Sequence, residues 1–159
     1  DDFHYFDAND VEQTIPALFQ AASTAQFNKT ADTALADVTG LRLTLAGTTT
    51  YAIDAGLFVD ADATGGHKYA LAGSGLTATS IKYQVNSIAN ASNLYVINTR
   101  LTALAGTTGQ AGATGVYTEI KGQIVTAVAG TISVQFAQQV ASGTSSVLTQ
   151  SYLKAIKVV

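Results

Sequence analysis

GTISVQFAQQVASGTSSVLTQSYLKAIKVV, Gly130–Val159, alternates apolar and polar side chains from its start. Ile132, Val134, Phe136 and Val140 fall on one side; Ser133, Gln135, Ala137 and Gln139 fall on the other. A period of two marks a strand with one buried face. Ala141-Ser142-Gly143-Thr144 interrupts it as a turn cluster. Ser146–Leu148 then reads as a short strand and Ser151–Val159 as a final one.

The same period runs upstream. Gln26–Thr30 is a candidate first strand, and Leu41, Leu43 and Leu45 alternate with Arg42 and Thr44. In Thr49–Val59, Tyr51, Ile53, Leu57 and Val59 share a face opposite Asp54 and Asp60. Asp60–Gly66 is a loop; His67–Leu71 and Ser80–Val85 follow as strands. Leu94–Ile97 is apolar on both faces, Arg100–Leu104 is a short segment, and Ala105–Thr114 is Gly-rich. Val116–Val128 is the longest pattern, with Val116, Ile120, Ile124 and Val128 on one face. Gly122 in its middle predicts a bulge or the close approach of another backbone. About eight to ten short strands punctuated by turns predict an all-β, antiparallel sandwich or barrel. No βαβ alternation competes with that reading.

Residues 1–22 read differently. Asp1, Asp2, Asp7, Asp10 and Glu12 make an acidic N-terminal arm, with Phe3, Tyr5 and Phe6 clustered among them. Pro16 limits any helix to about Ile15–Ala22. The chain thus divides into an irregular attachment arm, 1–22, and a β domain, 23–159. The arm's charge suits a basic partner surface or plain solvation.

At 159 residues the chain can bury a substantial core. Charged residues are only 12% of it, about half the usual share. Such a surface suits packing against other subunits. The net charge of -3 gives no reason to expect nucleic acid. Cysteine is absent, which removes disulfides and thiolate metal sites. No run of eighteen apolar residues offers a membrane span, and Asp1–Glu12 lacks the pattern of a secretory signal.

No residue set reads as catalytic, cofactor-binding or metal-binding, so no cofactor is expected. His4 and His67 have no nucleophile in a strained turn beside them, and His67 is expected exposed at a strand end. Asp60-Ala61-Asp62 with Gly65-Gly66 lacks the further ligands and closing glutamate of a calcium loop. Glu119 and Lys121 are expected as a surface pair of little energetic weight. Asn28-Lys29-Thr30 and Asn90-Ala91-Ser92 match glycosylation acceptors, which mean little without a secretory signal. The glycines between strands are expected to serve turns, since none opens a helix to cradle phosphate.

The succession ALADVTGLRLTLAGTTTYAIDAGLFVDADATGGHKYALAG, IKYQVNSI, VYTEIKGQIV and GTISVQFAQQVASGTSSVLTQSYLKAIKV resembles tailed-bacteriophage virion proteins of the tail-fibre, head-fibre and minor structural kinds. It spans about Ser23–Val159. Its elements are Asp37-Val38-Thr39-Gly40 before a strand, Thr50-Tyr51 opening the next, and Gln150-Ser151-Tyr152 leading into the last. Gln150 stands where the resemblance has glycine, which leaves that turn open. The resemblance implies a jelly-roll β-sandwich, similar in shape to the tumour-necrosis-factor-like fold, and a homotrimer. It implies a place in the phage virion as fibre tip, head fibre or capsid decoration. If the arm lies on a capsid or tail surface, the body is a decoration or adaptor that meets other virion proteins; if the arm continues a fibre shaft, the far-end loops face a host glycan or receptor. Apolar residues on both faces of the last strand, Tyr152, Ile156 and Val158 against Leu153, Ala155 and Val159, independently favour association. Lys68, Lys82 and Lys121 are expected at the rim of such contacts.

The alternative class is a carbohydrate-binding or depolymerase-type enzyme module on a tail fibre. It would need two carboxylates at glycosidase separation. Asp54, Asp60 and Asp62 form the only acid cluster of the body. Asp54 and Asp60 would stand about 20 Å apart along one strand face, too far for such a pair.

Overall fold

The computed structural model describes residues 3–6, 12–15, 17–89, 94–104, 108–110 and 115–158; side chains at 3–6, 12–15, 88–97 and 108–110 lie outside that description. The sequence readings at Asp1, Asp2, Asp7, Asp10, Pro16, Asn90, Ala91 and Ser92 also lie outside the described residues, with most of 105–114 and the side chains of His4 and Leu94–Ile97.

The strands are β1 (Phe3–Phe6), β2 (Glu12–Ile15), β3 (Leu18–Ala22), β4 (Phe27–Thr30), β5 (Ala36–Leu45), β6 (Thr50–Asp60) and β7 (His67–Ser74). They continue as β8 (Thr77–Ala89), β9 (Leu94–Leu101), β10 (Thr108–Gln110), β11 (Val116–Val128), β12 (Gly130–Ala137), β13 (Thr144–Val147) and β14 (Tyr152–Val158). They exceed the expected number because pieces such as β1, β2 and β10 are too short for alternation to show.

A large sheet runs β3-β14-β6-β11-β8-β9, with β13 also pairing β6 and β4 pairing β13. A small sheet runs β10-β7-β12-β5. All these pairs are antiparallel. Three are nested in sequence: β3 with β14, β5 with β12, and β6 with β11. Nested antiparallel pairs divided between two sheets make an antiparallel jelly-roll β-sandwich.

The N-terminal segment departs from its sequence reading. Phe3–Phe6 pairs with Glu12–Ile15 as a separate two-stranded sheet. Among the described residues of Ile15–Ala22 there is no helix; Leu18–Ala22 instead pairs with β14, Leu18 opposite Ile156 and Ala22 opposite Tyr152. A two-turn helix is unstable alone, whereas the open edge of β14 offers a full set of backbone partners. The large sheet therefore begins before Ser23.

Two apolar positions leave their expected faces. Val140 lies beyond the end of β12, because the chain curls there: Gln139 N and Val140 N both donate to Gly65 O, at 2.8 and 2.9 Å. Val128 is exposed because the β11–β8 register shifts around Thr126. Thr126 is buried instead, its Oγ1 donating to Ala46 O at 2.7 Å. At Gly122 both registers run on without a shift. A Cβ there would collide with the backbone of Lys82 and Tyr83, so close approach rather than a bulge explains the glycine.

The core lies between the sheets. Tyr51, Ile53, Leu57, Ile120, Ile124, Val85 and Leu153 of the large sheet face Leu41, Leu45, Leu71, Ile132, Val134 and Phe136 of the small one. Phe136 is fully buried, with its ring 5.6 Å from that of Tyr69. The Tyr69 hydroxyl accepts from Thr118 Oγ1 at 2.8 Å, and Thr118 shares a 2.6 Å hydrogen bond with Ser87. This chain ties the sheets together with no buried polar end unmet. The opposite face of β12 is not simply solvated. Ser133 and Ala137 are buried, and half-buried Gln135 donates from Nε2 to Asp37 Oδ1 at 2.8 Å.

The turn into β14 resolves the question that Gln150 raised. Along one edge of β6, β14 pairs residues 50–56 and β13 pairs Val59 and Asp60. Between them Phe58 is served by the turn: Leu148 N donates to Phe58 O at 2.8 Å, and Phe58 N donates to Ser151 Oγ at 3.1 Å. Ser151 Oγ in turn donates to Leu148 O at 2.9 Å. Gln150 takes φ +66° to close this turn, and its N–H donates to Ser23 O at 3.0 Å.

Two predictions follow this packing. Phe136→Ala should cost ~3–5 kcal/mol, and Gln135→Ala ~1 kcal/mol through the lost Asp37 bond; urea titration of both variants measures the contrast, and equal costs would reverse the assigned faces. Gln150→Gly relieves a left-handed side chain and should stabilise by ~0.5–1 kcal/mol after the entropy of glycine is counted. Ser151→Ala should destabilise by ~1–3 kcal/mol by orphaning Phe58 N. Thermal melts that fail to rank glycine variant, parent and alanine variant in that order would refute this account of the turn.

Candidate functional site

Alternation places one set of side chains from every strand of the large sheet outward, away from the core. From β3, β14 and β6 these are Leu18, Gln20, Ala22, Tyr152, Lys154, Ile156, Val158, Ala52, Asp54 and Phe58; β11, β8 and β9 add Tyr117, Glu119, Lys121, Gln123, Lys82, Gln84, Asn86, Asn98 and Arg100. The register aligns them in rows. One row reads Gln20, Lys154, Asp54, Lys121, Gln84, Arg100.

The β3–β14–β6 part of this face is apolar and aromatic. Leu18, Phe58, Ile156 and Val158 are 57%, 43%, 42% and 42% exposed. Leu18 lies directly opposite Ile156. The rings of Phe58 and Tyr117 are 5.3 Å apart, and Lys154 Nζ sits 4.6 Å from the Tyr152 ring centroid. Gly56 makes room beneath them: a Cβ there would lie 2.7 Å from the Tyr117 hydroxyl and 2.6 Å from the Tyr152 ring. Burial and a hydrogen bond with Tyr152 push the Tyr117 phenol above its usual range. Asp54 Oδ1 is buried without a hydrogen-bond partner among the described residues.

The β11–β8–β9 part is cationic. Lys82, Tyr83, Gln84, Arg100 and Lys121 line a pocket of about 230 Å³. Lys121 Nζ donates to Glu119 Oε1 at 3.0 Å, the expected surface pair, and that carboxylate raises its pKa. Lys82 and Lys121 stand on the outward face of the large sheet, on the neighbouring strands β8 and β11. A second groove, about 250 Å³, is lined by Asp37, Val38, Thr39, Gly40 and Arg42. Burial alone would raise the Asp37 carboxyl, but hydrogen bonds from Gln135, Arg42 and Ser133 outweigh it and hold it below its usual value.

His67 contradicts its sequence reading. It is fully buried, its ring 5.5 Å from that of Tyr69, and neither ring nitrogen has a hydrogen-bond partner among the described residues. Pairing of β7 with β12 carries the strand start inside the sandwich, which local sequence did not reveal. In the following loop reading, Asp62 Oδ1 accepts from Thr64 N at 3.0 Å and Gly65 N at 2.6 Å, shaping the turn. Asp60 Oδ1 accepts from Gly115 N at 3.3 Å. Asn28 Oδ1 accepts from Gln26 Nε2 and Ser146 Oγ at 2.9 and 2.8 Å. The aromatic and cationic surface was missed because its members are scattered over six strands; only the register joins them.

No family model matches the sequence, and no curated protein matches it. Among solved structures, the Eiger TNF from S. frugiperda is similar at 12% identity and TM-score 0.44, covering 91% of this chain and 93% of that one. The VP2 subviral particle of infectious bursal disease virus is similar at 13% identity and TM-score 0.24; this chain is covered fully but spans 46% of VP2.

Burial depresses the His67 pKa from 6.5 to about 4. The unfolded chain therefore takes up this proton first on acidification. The contribution of His67 to stability is present in full well above pH 6.5 and is lost as the pH falls to about 4, by up to about 3 kcal/mol. Asp32 and Asp37 are lowered carboxylates and act below this window. His67→Leu should flatten the loss between pH 6.5 and 4 in urea titrations; an unchanged slope would place the titration elsewhere.

Proposed function

We propose that this chain is a non-enzymatic structural protein of the bacteriophage virion, a homotrimeric jelly-roll module serving as fibre tip, head fibre or capsid decoration, with a role in host attachment. The observation that carries association is the outward apolar stripe Leu18–Ile156–Val158 continued by Phe58, Tyr117 and Tyr152. Exposed patches of this kind are uncommon on monomers. Cyclic symmetry closes them without leaving a sticky remainder. The resemblance over Ser23–Val159 supplies the virion and the number three. The segment before β3 provides the link to other virion proteins, with β1 and β2 as a two-stranded sheet of their own.

The non-enzymatic reading is supported by what the acids do. Asp37, Asp60 and Asp62 are engaged in hydrogen bonds that shape strands and loops. Asp54 and Asp60 are six residues apart on one face of β6, about 20 Å.

Sedimentation equilibrium of the chain should give about three times 16.3 kDa. Ile156→Glu with Leu18→Glu should yield a folded monomer with an unchanged circular-dichroism spectrum. A folded monomer of the parent chain at micromolar concentration would refute the assembly, as would a trimer unaffected by the two glutamates.

A further inference from the structure

We infer that the pocket between β8, β9 and β11 binds an acidic sugar, a hexuronate or a sugar phosphate, through Lys82, Arg100 and Lys121 around Gln84. The inference goes beyond the assembly reading and does not depend on it, because a single chain carries every lining residue.

The register brings the cations together. Gln84 is opposite Lys121 on one side and Arg100 on the other, while Lys82 lies two residues away on the same strand face. Diagonal neighbours in a sheet are about 7–8 Å apart, within the reach of these side chains, and like charges so placed repel. Among the described residues, Lys121 has Glu119 as its counter-charge. Asp54 is its register neighbour on the other side. Neither the Lys82 side chain nor the Arg100 side chain has a hydrogen bond or ion pair among the described residues. Two unpaired cations and a shared third around a concave site are a built-in surplus of positive charge. An oxyanion relieves it, most directly through the fork of Arg100.

Gln84 narrows the class. Its Nε2 donates to Asn86 Oδ1 at 2.9 Å and Asn98 Oδ1 at 2.7 Å, so both amide hydrogens are engaged. Its carbonyl oxygen accepts no side-chain hydrogen bond among the described residues, and Gln84 is one of the residues that line the pocket. An anion such as sulfate brings only acceptors and would repel that oxygen, and inorganic phosphate has no hydroxyl apart from those of its own acid group. A ligand with hydroxyls beside its acid group satisfies both the cations and the acceptor. The volume, about 230 Å³, suits one such unit.

The test is amide and side-chain NMR titration of the full chain at fixed ionic strength with glucuronate, glucose 6-phosphate, inorganic phosphate and glucose. Saturable shifts of the Gln84 side-chain amide and of residues 82–84, 100 and 121 are expected with glucuronate, glucose 6-phosphate or both; which binds tighter identifies the acid group. Lys82→Ala and Arg100→Ala should each weaken binding by about tenfold, the scale of one charge-assisted contact. Lys68→Ala, remote on the small sheet, should leave it unchanged. The inference fails if no acidic sugar saturates the site, if glucose binds equally, if inorganic phosphate binds as tightly as glucose 6-phosphate, or if the two alanine variants bind like the parent. Because none of these substitutions touches the apolar stripe, sedimentation of the same samples keeps this outcome separate from that of the trimer.

Discussion

Both edges of β6 must find hydrogen-bond partners, because its inner face is core and its backbone cannot turn to water. One edge is served along its length by β11. The other is shared by two short strands, β14 and β13, with a turn between them. That turn has to present an N–H and a hydroxyl oxygen to Phe58 while reversing the chain. Ser151 supplies the oxygen, and Gln150 accepts a left-handed backbone to deliver it. Strands β13 and β14 and the turn between them are therefore the piece that completes the middle of the large sheet.

The two faces of that sheet then take on different work. The inner side chains pack against β5, β7 and β12, and the Tyr69–Thr118–Ser87 chain fixes the sheets in one alignment. The outer side chains are free of core duty, so their chemistry is available for contacts. They divide along the sheet into an apolar, aromatic part on β3, β14 and β6 and a cationic part on β11, β8 and β9. Lys121 and Asp54 stand at the boundary, in neighbouring register positions. Lys82, Arg100, Lys121 and Lys154, four of the eight basic residues, stand on this one face. His67 shows the opposite economy: a titratable ring is kept neutral in the core, where acid costs stability.

Alternation along Gly130–Val159, Leu41–Leu45, Thr49–Val59 and Val116–Val128 determined the all-β class, the inward faces and most strand positions, since period two is a local property of side chains. Loop positions and the Glu119–Lys121 pair were legible for the same reason. Tertiary structure alone decided the rest. Leu18–Ala22 became a strand because β14 offered an edge. Val128 and Val140 left the core because of a register shift and a curl around Gly65. His67 was buried by the pairing of β7. The cationic pocket exists because the register sets Lys121, Gln84 and Arg100 side by side from strands far apart in the chain, with Lys82 next to them. No local pattern encodes which strand lies beside which, so the sequence determined the faces and the folded sheet determined their neighbours.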